Sequence, residues 1–545
     1  MIAWGNHLPV MPVLIPLLAA AGMLLLRDTQ RKPRLVISAV ALILQIVVAL
    51  SLLEATSSAD HSMWPGGVGV YLLGDWPAPF GIVIVVDRLS ALMLSLTSLL
   101  GACCWIYSTA RWDRAGAHFH SLFQLLLMGL NGAFLAGDLF NLFVCFEILL
   151  TASYGLMLHG SGMRRVSAGM HYIAVNLIAS FMLLIAIAMI YGLTGTLNMA
   201  DLAIRVHTLS TADRQLFDAA AAILGVAFLI KAAAWPVNFW LPNAYTQACT
   251  PVAAMFVIMT KVGIYALLRI GALLLPAGAP AAFGGDWMFP AGIATLAFGT
   301  LGMLASQHVE RIAAYAIIVS SGTLLAALGM PGVALTGPAL YYLISSVLAL
   351  GALFMVLEMV SRTQTFGADL LAISLESFDL DDPDDGGLSD EVVGVALPAA
   401  MAFLGLSFFA CSLLIIGLPP LSGFVAKFSL LSAALNTAEN GVPTSSVWLL
   451  VGAMLGSGFV CLIALSRSGA RLFWIPEQIK IPRLRLSEAT PVIVLLGACI
   501  ALTWKAGPAM AYLEDTAYYL DRPQYYIQAV LHQDTRRPRP AEVSP

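Results

Sequence analysis

The sequence predicts an all-α polytopic membrane protein with about 14 transmembrane helices. Three observations carry this reading. Of 545 residues, 59% are hydrophobic and only 11% charged, where soluble domains carry about 25% charged residues. Apolar runs of about 20 residues, the length that crosses a hydrocarbon core, recur along nearly the whole chain. The short alternating segments of a β-barrel do not stand out. A net charge of -4 without a basic stripe excludes nucleic-acid binding.

Runs bounded by Gly, Pro or charge place the spans, in chain order, at 9–26, 34–54, 82–110, 118–137, 139–159, 166–193 and 214–240, then at 250–274, 287–305, 309–330, 336–361, 396–435, 446–468 and 489–513. The first cation, Arg27, follows the first run, so that run reads as a retained helix and not a cleaved signal. Residues 64–87, with Tyr71, Trp76, Pro77, Pro79 and the apolar 81–86 run, read as an external β-hairpin or extended cap. Spans 7 and 12 hold internal prolines and read as broken. The loops after spans 1, 3, 5, 9, 11 and 13 hold most of the cations, among them Arg27, Arg31, Arg111, Arg164, Arg165, Arg362 and Arg485. The positive-inside rule makes those loops cytoplasmic and the N-terminus external. The 375–391 loop gathers acidic residues from Glu376 to Glu391 without a cation. It reads as a solvated loop, or more sharply as a cation-attracting vestibule. The seven cysteines lie in apolar segments without CxxC spacing and read as core packing.

An ionised side chain at the centre of a spanning helix costs about 2.5–3.5 kcal/mol on the insertion scale, so each one needs a reason. Glu147 in span 5, Lys231 in span 7, Lys261 in span 8 and Lys427 in span 12 occupy such positions. Asp138 and Glu358 lie nearer span ends, where solvent reaches them. Ion pairing for packing does not account for three lysines against one central glutamate. Lysine is the cation suited to proton movement, because burial and a nearby carboxylate move its pKa in opposite directions, whereas arginine stays charged. The backbone is abnormal beside two of these lysines. Pro236 frees the carbonyl of Ala232, next to Lys231, and Pro419 and Pro420 free the carbonyls of Ile415 and Ile416, ahead of Lys427. Matched broken helices point to inverted five-helix repeats, spans 4–8 over 118–274 and spans 9–13 over 275–470, flanked by 1–117 and 471–545. His118 and His120 lack a third metal ligand and read as a surface helix start, while His159, His171 and His308 read as packed or interfacial. No P-loop, catalytic triad, haem pair or iron–sulfur spacing supports a cofactor, a metal or a self-contained enzyme.

Four stretches together resemble the antiporter-like subunit superfamily. They are Gly137-Asp138-Leu139-Phe140-Asn141-Leu142-Phe143-Val144-Cys145-Phe146-Glu147, the Lys231 segment ending Phe239-Trp240-Leu241-Pro242, Thr260-Lys261-Val262-Gly263-Ile264-Tyr265-Ala266, and Leu418-Pro419-Pro420-Leu421-Ser422-Gly423-Phe424. That superfamily holds subunits of respiratory complex I, membrane-bound hydrogenases and the multisubunit Mrp/Pha cation/proton antiporters. The chain looks most like the D-type branch of the last group. The resemblance implies broken helices 7 and 12, a proton-conducting polar axis, and companion antiporter subunits in a bacterial inner membrane. It maps Glu147, Lys231, Lys261 and Lys427 onto that axis, moving protons in exchange for K+ or Na+. A proton-pumping subunit of a complex I-like or hydrogenase-like oxidoreductase is the alternative it leaves open. The second half departs from the pattern: span 10 leads to Ser320 and span 11 reads Leu350-Gly351-Ala352-Leu353-Phe354 without a lysine. A path there needs water, Ser345, Ser346 or Glu358, with Asp138 and His171 as further accessory candidates.

Overall fold

The computed structural model describes residues 4–27, 30–57, 64–160, 162–274, 287–330, 334–375, 399–436, 443–473 and 484–532. The acidic stretch from Glu376 to Glu391 lies outside the described residues. In chain order the helices are α1 (Met11–Leu24), α2 (Arg31–Ser57), α3 (Arg88–Ser108), α4 (Phe119–Leu135), α5 (Leu139–Met157), α6 (Met163–Thr194), α7 (Met199–Arg205), α8 (Thr211–Lys231), α9 (Trp240–Gln247) and α10 (Thr250–Leu274). They continue with α11 (Met288–Ala305), α12 (Val309–Leu328), α13 (Thr336–Leu375), α14 (Ala399–Ile416), α15 (Ser422–Asn436), α16 (Ser445–Phe473), α17 (Leu486–Trp504), α18 (Ala506–Leu520) and α19 (Gln524–Leu531).

Among the described residues, 12 helices are long and apolar enough to cross a membrane. The difference from the expected 14 has a plain cause. Helix α4 is apolar but only 17 residues long, and α8 begins with Asp213, Arg214 and Asp218. Nearly every side chain of α10 is buried, as are most on α12 and the first turns of α13, so these three form the centre. Helices α2, α6 and α16 carry many exposed leucines, isoleucines, valines and phenylalanines, the pattern of a lipid-facing or partner-facing shell. All seven cysteines are buried and free.

The 64–87 region contains the expected hairpin. Strand β1 (Gly69–Leu72) pairs antiparallel with β2 (Val83–Val86), Gly69 opposite Val86 and Leu72 opposite Val83. Span 3 therefore starts at Arg88 and not at 82. The β-branched Val83-Ile84-Val85-Val86 run suits a buried strand, and Asp87 caps the helix by accepting from Ser90 N at 2.9 Å. Span 14 is two helices, α17 and α18, that meet at Lys505.

Spans 7 and 12 are both interrupted at their prolines. Helix α8 stops at Lys231, Ala233 takes a left-handed φ of 55°, and α9 resumes at Trp240. The amide of Trp235, inside this break, donates to Thr295 Oγ1 on α11 at 2.9 Å. The second break separates α14 from α15, with Gly417 at φ 83° and Pro419 and Pro420 between them. Helices α11 and α12 pack backbone to backbone along a glycine seam. A Cβ on Gly299 would lie 2.9 Å from Val319 N, and one on Gly329 would lie 2.6 Å from Phe289 N. Small residues that let backbones touch are the usual means of close helix association in lipid.

Candidate functional site

Each of the four charged residues in the spans is held differently. Lys231 closes α8 at its break and is buried. Its Nζ lies 3.5 Å from Ser180 Oγ on α6 and 4.7 Å from the centre of the Phe146 ring on α5. An ammonium over an aromatic face gains about 2 kcal/mol when desolvated. Lys231 thus takes a hydroxyl and a ring, and not the Ala232 carbonyl that Pro236 frees. Glu147 follows Phe146 on α5, near enough for its charge to act on Lys231 without closing an ion pair with it. One Glu147 oxygen, Oε1, is buried without a hydrogen-bond partner.

Lys261 is fully buried in the middle of α10 and donates to two serines on α12, Ser320 Oγ at 2.9 Å and Ser321 Oγ at 3.2 Å. Lys427, on α15, donates to Ile416 O at 2.8 Å and Ile415 O at 3.2 Å. These are the carbonyls that Pro419 and Pro420 leave without amide donors, so the ammonium replaces the missing N–H groups. The three lysines share one property: among the described residues, every hydrogen-bond acceptor they use is a hydroxyl or a carbonyl, and none is a carboxylate. A lysine so held can give up its proton without stranding a bound anion.

The accessory candidates separate. Ser346 on α13 accepts from Ser320 at 3.1 Å, and Ser345 shares a 2.9 Å hydrogen bond with Ser422 at the start of α15, so both stand between Lys261 and Lys427. Glu358 does not stand on this line and is not open to solvent. It is clasped near the end of the span by Arg111 and Arg362, by Trp112 Nε1 at 3.0 Å and by Tyr107 Oη at 3.0 Å, which ties α3 to α13. Asp138 is buried, not solvated. It caps α5 by accepting from Asn141 N at 2.6 Å, and its Oδ2 has no partner among the described residues. Burial pushes this carboxyl up to about 6. His171 is exposed on α6 and bonds Ser167 O, away from the other groups. His120 is buried rather than at the surface, its Nδ1 accepting from Trp105 Nε1 at 3.1 Å. Among the described residues no group of three metal-ligating side chains forms.

Sequence reasoning missed Ser180 and Phe146 as partners of Lys231, and Ser321 as a partner of Lys261. The visible signal for the last was the Ser320-Ser321 tandem in an apolar span. It also missed the pairing of Asp87 with Arg269, which links the hairpin to α10.

The NADH:quinone oxidoreductase/Mrp antiporter transmembrane family model matches residues 136–456, which include all four charged residues. The D-type subunit of a probable K+/H+ antiporter from Rhizobium meliloti is 50% identical to the chain, over 97% of the chain and 98% of that protein. The D-type subunit of the Na+/H+ antiporter from Alkalihalophilus pseudofirmus is 31% identical, over 97% of the chain and 100% of that protein. Among solved structures, a chain of the Mrp complex from Dietzia sp. superposes with a TM-score of 0.79 at 27% identity, over 97% of this chain and 100% of that one.

Proposed function

Because the chain belongs to the NADH:quinone oxidoreductase/Mrp antiporter family, we propose that it is the proton-conducting core subunit of a multisubunit monovalent cation/proton antiporter. It is a multi-pass membrane protein that works with companion antiporter subunits and carries no catalytic centre of its own. Its membrane is the bacterial inner membrane, with the β1–β2 hairpin facing outward. The cations of the opposite loops, Arg111, Arg165 and Arg362 among them, support that orientation. The cation is K+, a choice that rests on the relative at 50% identity.

The observation that carries the reading is the set of three buried or half-buried lysines whose hydrogen-bond acceptors, among the described residues, are hydroxyls and carbonyls and not carboxylates. Protons enter at Lys231, pass to Lys261 and reach Lys427, and the Glu147 charge sets how readily Lys231 loads. Helices α4 to α10 and α11 to α16 form two inverted repeats in this reading, supported by the one broken helix that each contributes, α8–α9 in the first and α14–α15 in the second.

The test is cation/proton exchange by the whole complex in everted vesicles, with K+ and Na+ assayed separately and assembly checked on blue-native gels. Lys231→Ala and Glu147→Ala should each lower exchange by tenfold or more while assembly stays normal. Full exchange in both variants would overturn the reading.

A further inference from the structure

Polar atoms nearly bridge the space between Lys261 and Lys427. Lys261 donates to Ser320 Oγ at 2.9 Å. Ser320 donates to Ser346 Oγ at 3.1 Å, and Ser346 donates to the carbonyl of Leu343 at 3.0 Å. The direction of this chain is set by its last member, because a hydroxyl with its one proton on Leu343 O must accept from Ser320. Beyond Ser346 lies a cavity of about 20 Å³, whose polar lining includes Ser320, Tyr342, Ser345, Ser346, Lys427 and Ser457 and, among the described residues, no carboxylate or histidine. About 10–15 Å³ holds one water when two to four polar groups face it. The cavity meets both conditions.

We infer that Ser320, Ser346 and one water in this cavity form the proton link between Lys261 and Lys427, with the Ser346 hydroxyl as its switch. This rests on the proton-conducting reading above and names the residues that carry it through the second half. As the chain stands, the hydroxyls end on the Leu343 carbonyl, which cannot pass a proton on. The link closes when the Ser346 hydroxyl turns about its Cβ–Oγ bond, so that the oxygen still accepts from Ser320 while the proton leaves Leu343 O and points to the water. The Lys261 ammonium then releases a proton to Ser320 Oγ, Ser320 passes its own to Ser346, Ser346 passes its own to the water, and the water passes one to the neutral Lys427 amine. Each oxygen ends with as many protons as it began with. The net change is a neutral Lys261 and a charged Lys427. Serine can relay but not hold a proton under these conditions, so the transfer is all or nothing and the turn of one hydroxyl decides it. Before a second proton follows, each hydroxyl must swing back.

The experiment is exchange by the whole complex in everted vesicles for Ser346→Ala, Ser346→Thr and Ser320→Ala, beside Lys261→Ala, with assembly followed on blue-native gels. Ser346→Ala and Ser320→Ala should each cut exchange at least tenfold. Ser346→Thr, which restores the hydroxyl, should recover more than half of it. The wild type should slow in D2O by more than the Ser346→Ala residual does, since several protons move in one event. If Lys261→Ala abolishes exchange while both serine-to-alanine variants stay near wild type, the hydroxyl link is overturned and the proton-conducting reading stands. If Ser346→Thr is as poor as Ser346→Ala in assembled complex, the position matters for packing and the link is again overturned. Full exchange in Lys261→Ala as well would remove the proton-conducting reading itself. Should Ser346→Ala fail to assemble, Ser320→Ala on α12 decides alone, by the same tenfold criterion.

Discussion

Arg269 and Asp87, 182 residues apart, meet in a two-point bond at the hairpin face: Arg269 Nη2 donates to Asp87 Oδ1 at 2.7 Å while Nη1 donates to Oδ2 at 2.5 Å. Asp87 is at once the cap of α3 and the residue that follows strand β2, and Arg269 lies in the last turns of α10. The bond therefore joins the hairpin, the third span and the central helix at one point. The Tyr526 ring of α19 lies 5.5 Å from the guanidinium and closes over it.

Loss of Asp87 leaves the Arg269 charge buried and unpaired, and breaking such a pair costs about 3–5 kcal/mol. Burial alone raises the Asp87 carboxyl, but the Arg269 charge and the bonds from Arg269 and Ser90 outweigh it and hold the group below its ordinary 3.8. A depressed carboxylate contributes stability that is complete above its unfolded-state value and is lost as pH falls through the lower native one. The thermal midpoint of the purified complex should therefore fall as pH drops below about 4. Asp87→Asn should lower the midpoint at neutral pH and flatten that acid limb. An unchanged midpoint in Asp87→Asn at pH 7 would contradict the buried pairing.

Asp138 works in the opposite sense. Its native carboxyl, pushed up by burial to about 6, binds a proton more tightly than in the unfolded chain. Stability relative to an uncharged residue is thus lost as pH rises through the window from about 4 to about 6. Two units correspond to roughly 3 kcal/mol at neutral pH and above. Asp138→Asn keeps the helix cap, since asparagine caps as well as aspartate. The variant should unfold at higher temperature than wild type at pH 8, and the gap should roughly halve at pH 5. A gap that does not change with pH would show that Asp138 stays ionised throughout.

Gly263 on α10 faces the break that follows Lys231. A Cβ there would lie 2.6 Å from Phe228 O and 2.9 Å from Ala232 N, both backbone atoms that cannot step aside. Gly263→Ala should lower stability by about 1–3 kcal/mol, the usual cost of overpacking, and should depress exchange in the assembled fraction. Gly452→Ala on α16, where nothing lies within 4 Å, is the matched control and should leave both unchanged. Equal behaviour of the two would mean that α10 does not need its close approach to the break.

The charged residues were legible because hydrophobic surroundings make each of them expensive, and a costly residue stands out in a single sequence. Lys427 was legible to the level of its acceptors. Proline has no amide proton, so Pro419 and Pro420 alone identify Ile415 and Ile416 as the carbonyls in want of a donor, and Lys427 takes both. Other features were not legible, for different physical reasons. A serine in a spanning helix ordinarily bonds back to its own helix, as Ser412 and Ser468 do. The Ser320-Ser321 tandem marks a polar spot in an apolar span, but nothing local shows that the Ser320 hydroxyl reaches across to Ser346. Asp87 and Arg269 each sit at a span end where a solvated charge is the ordinary expectation, and only the fold over 182 residues reveals the pair. The start of α3 was misplaced because a β-branched apolar run reads equally as strand or as buried helix until its pairing partner is known.

The glycine seam between α11 and α12 has a mechanical consequence. Two helices whose backbones touch have no layer of pliable side chains between them, so they bend and shift as a single stiff beam. One part of that beam is pinned at Thr295 to the amide of Trp235, in the break beside Lys231. Another carries Ser320 and Ser321, the shelf on which Lys261 rests. A displacement of the break must either snap the Thr295 pin or swing the shelf, which makes the beam a rocker arm between the first lysine and the second.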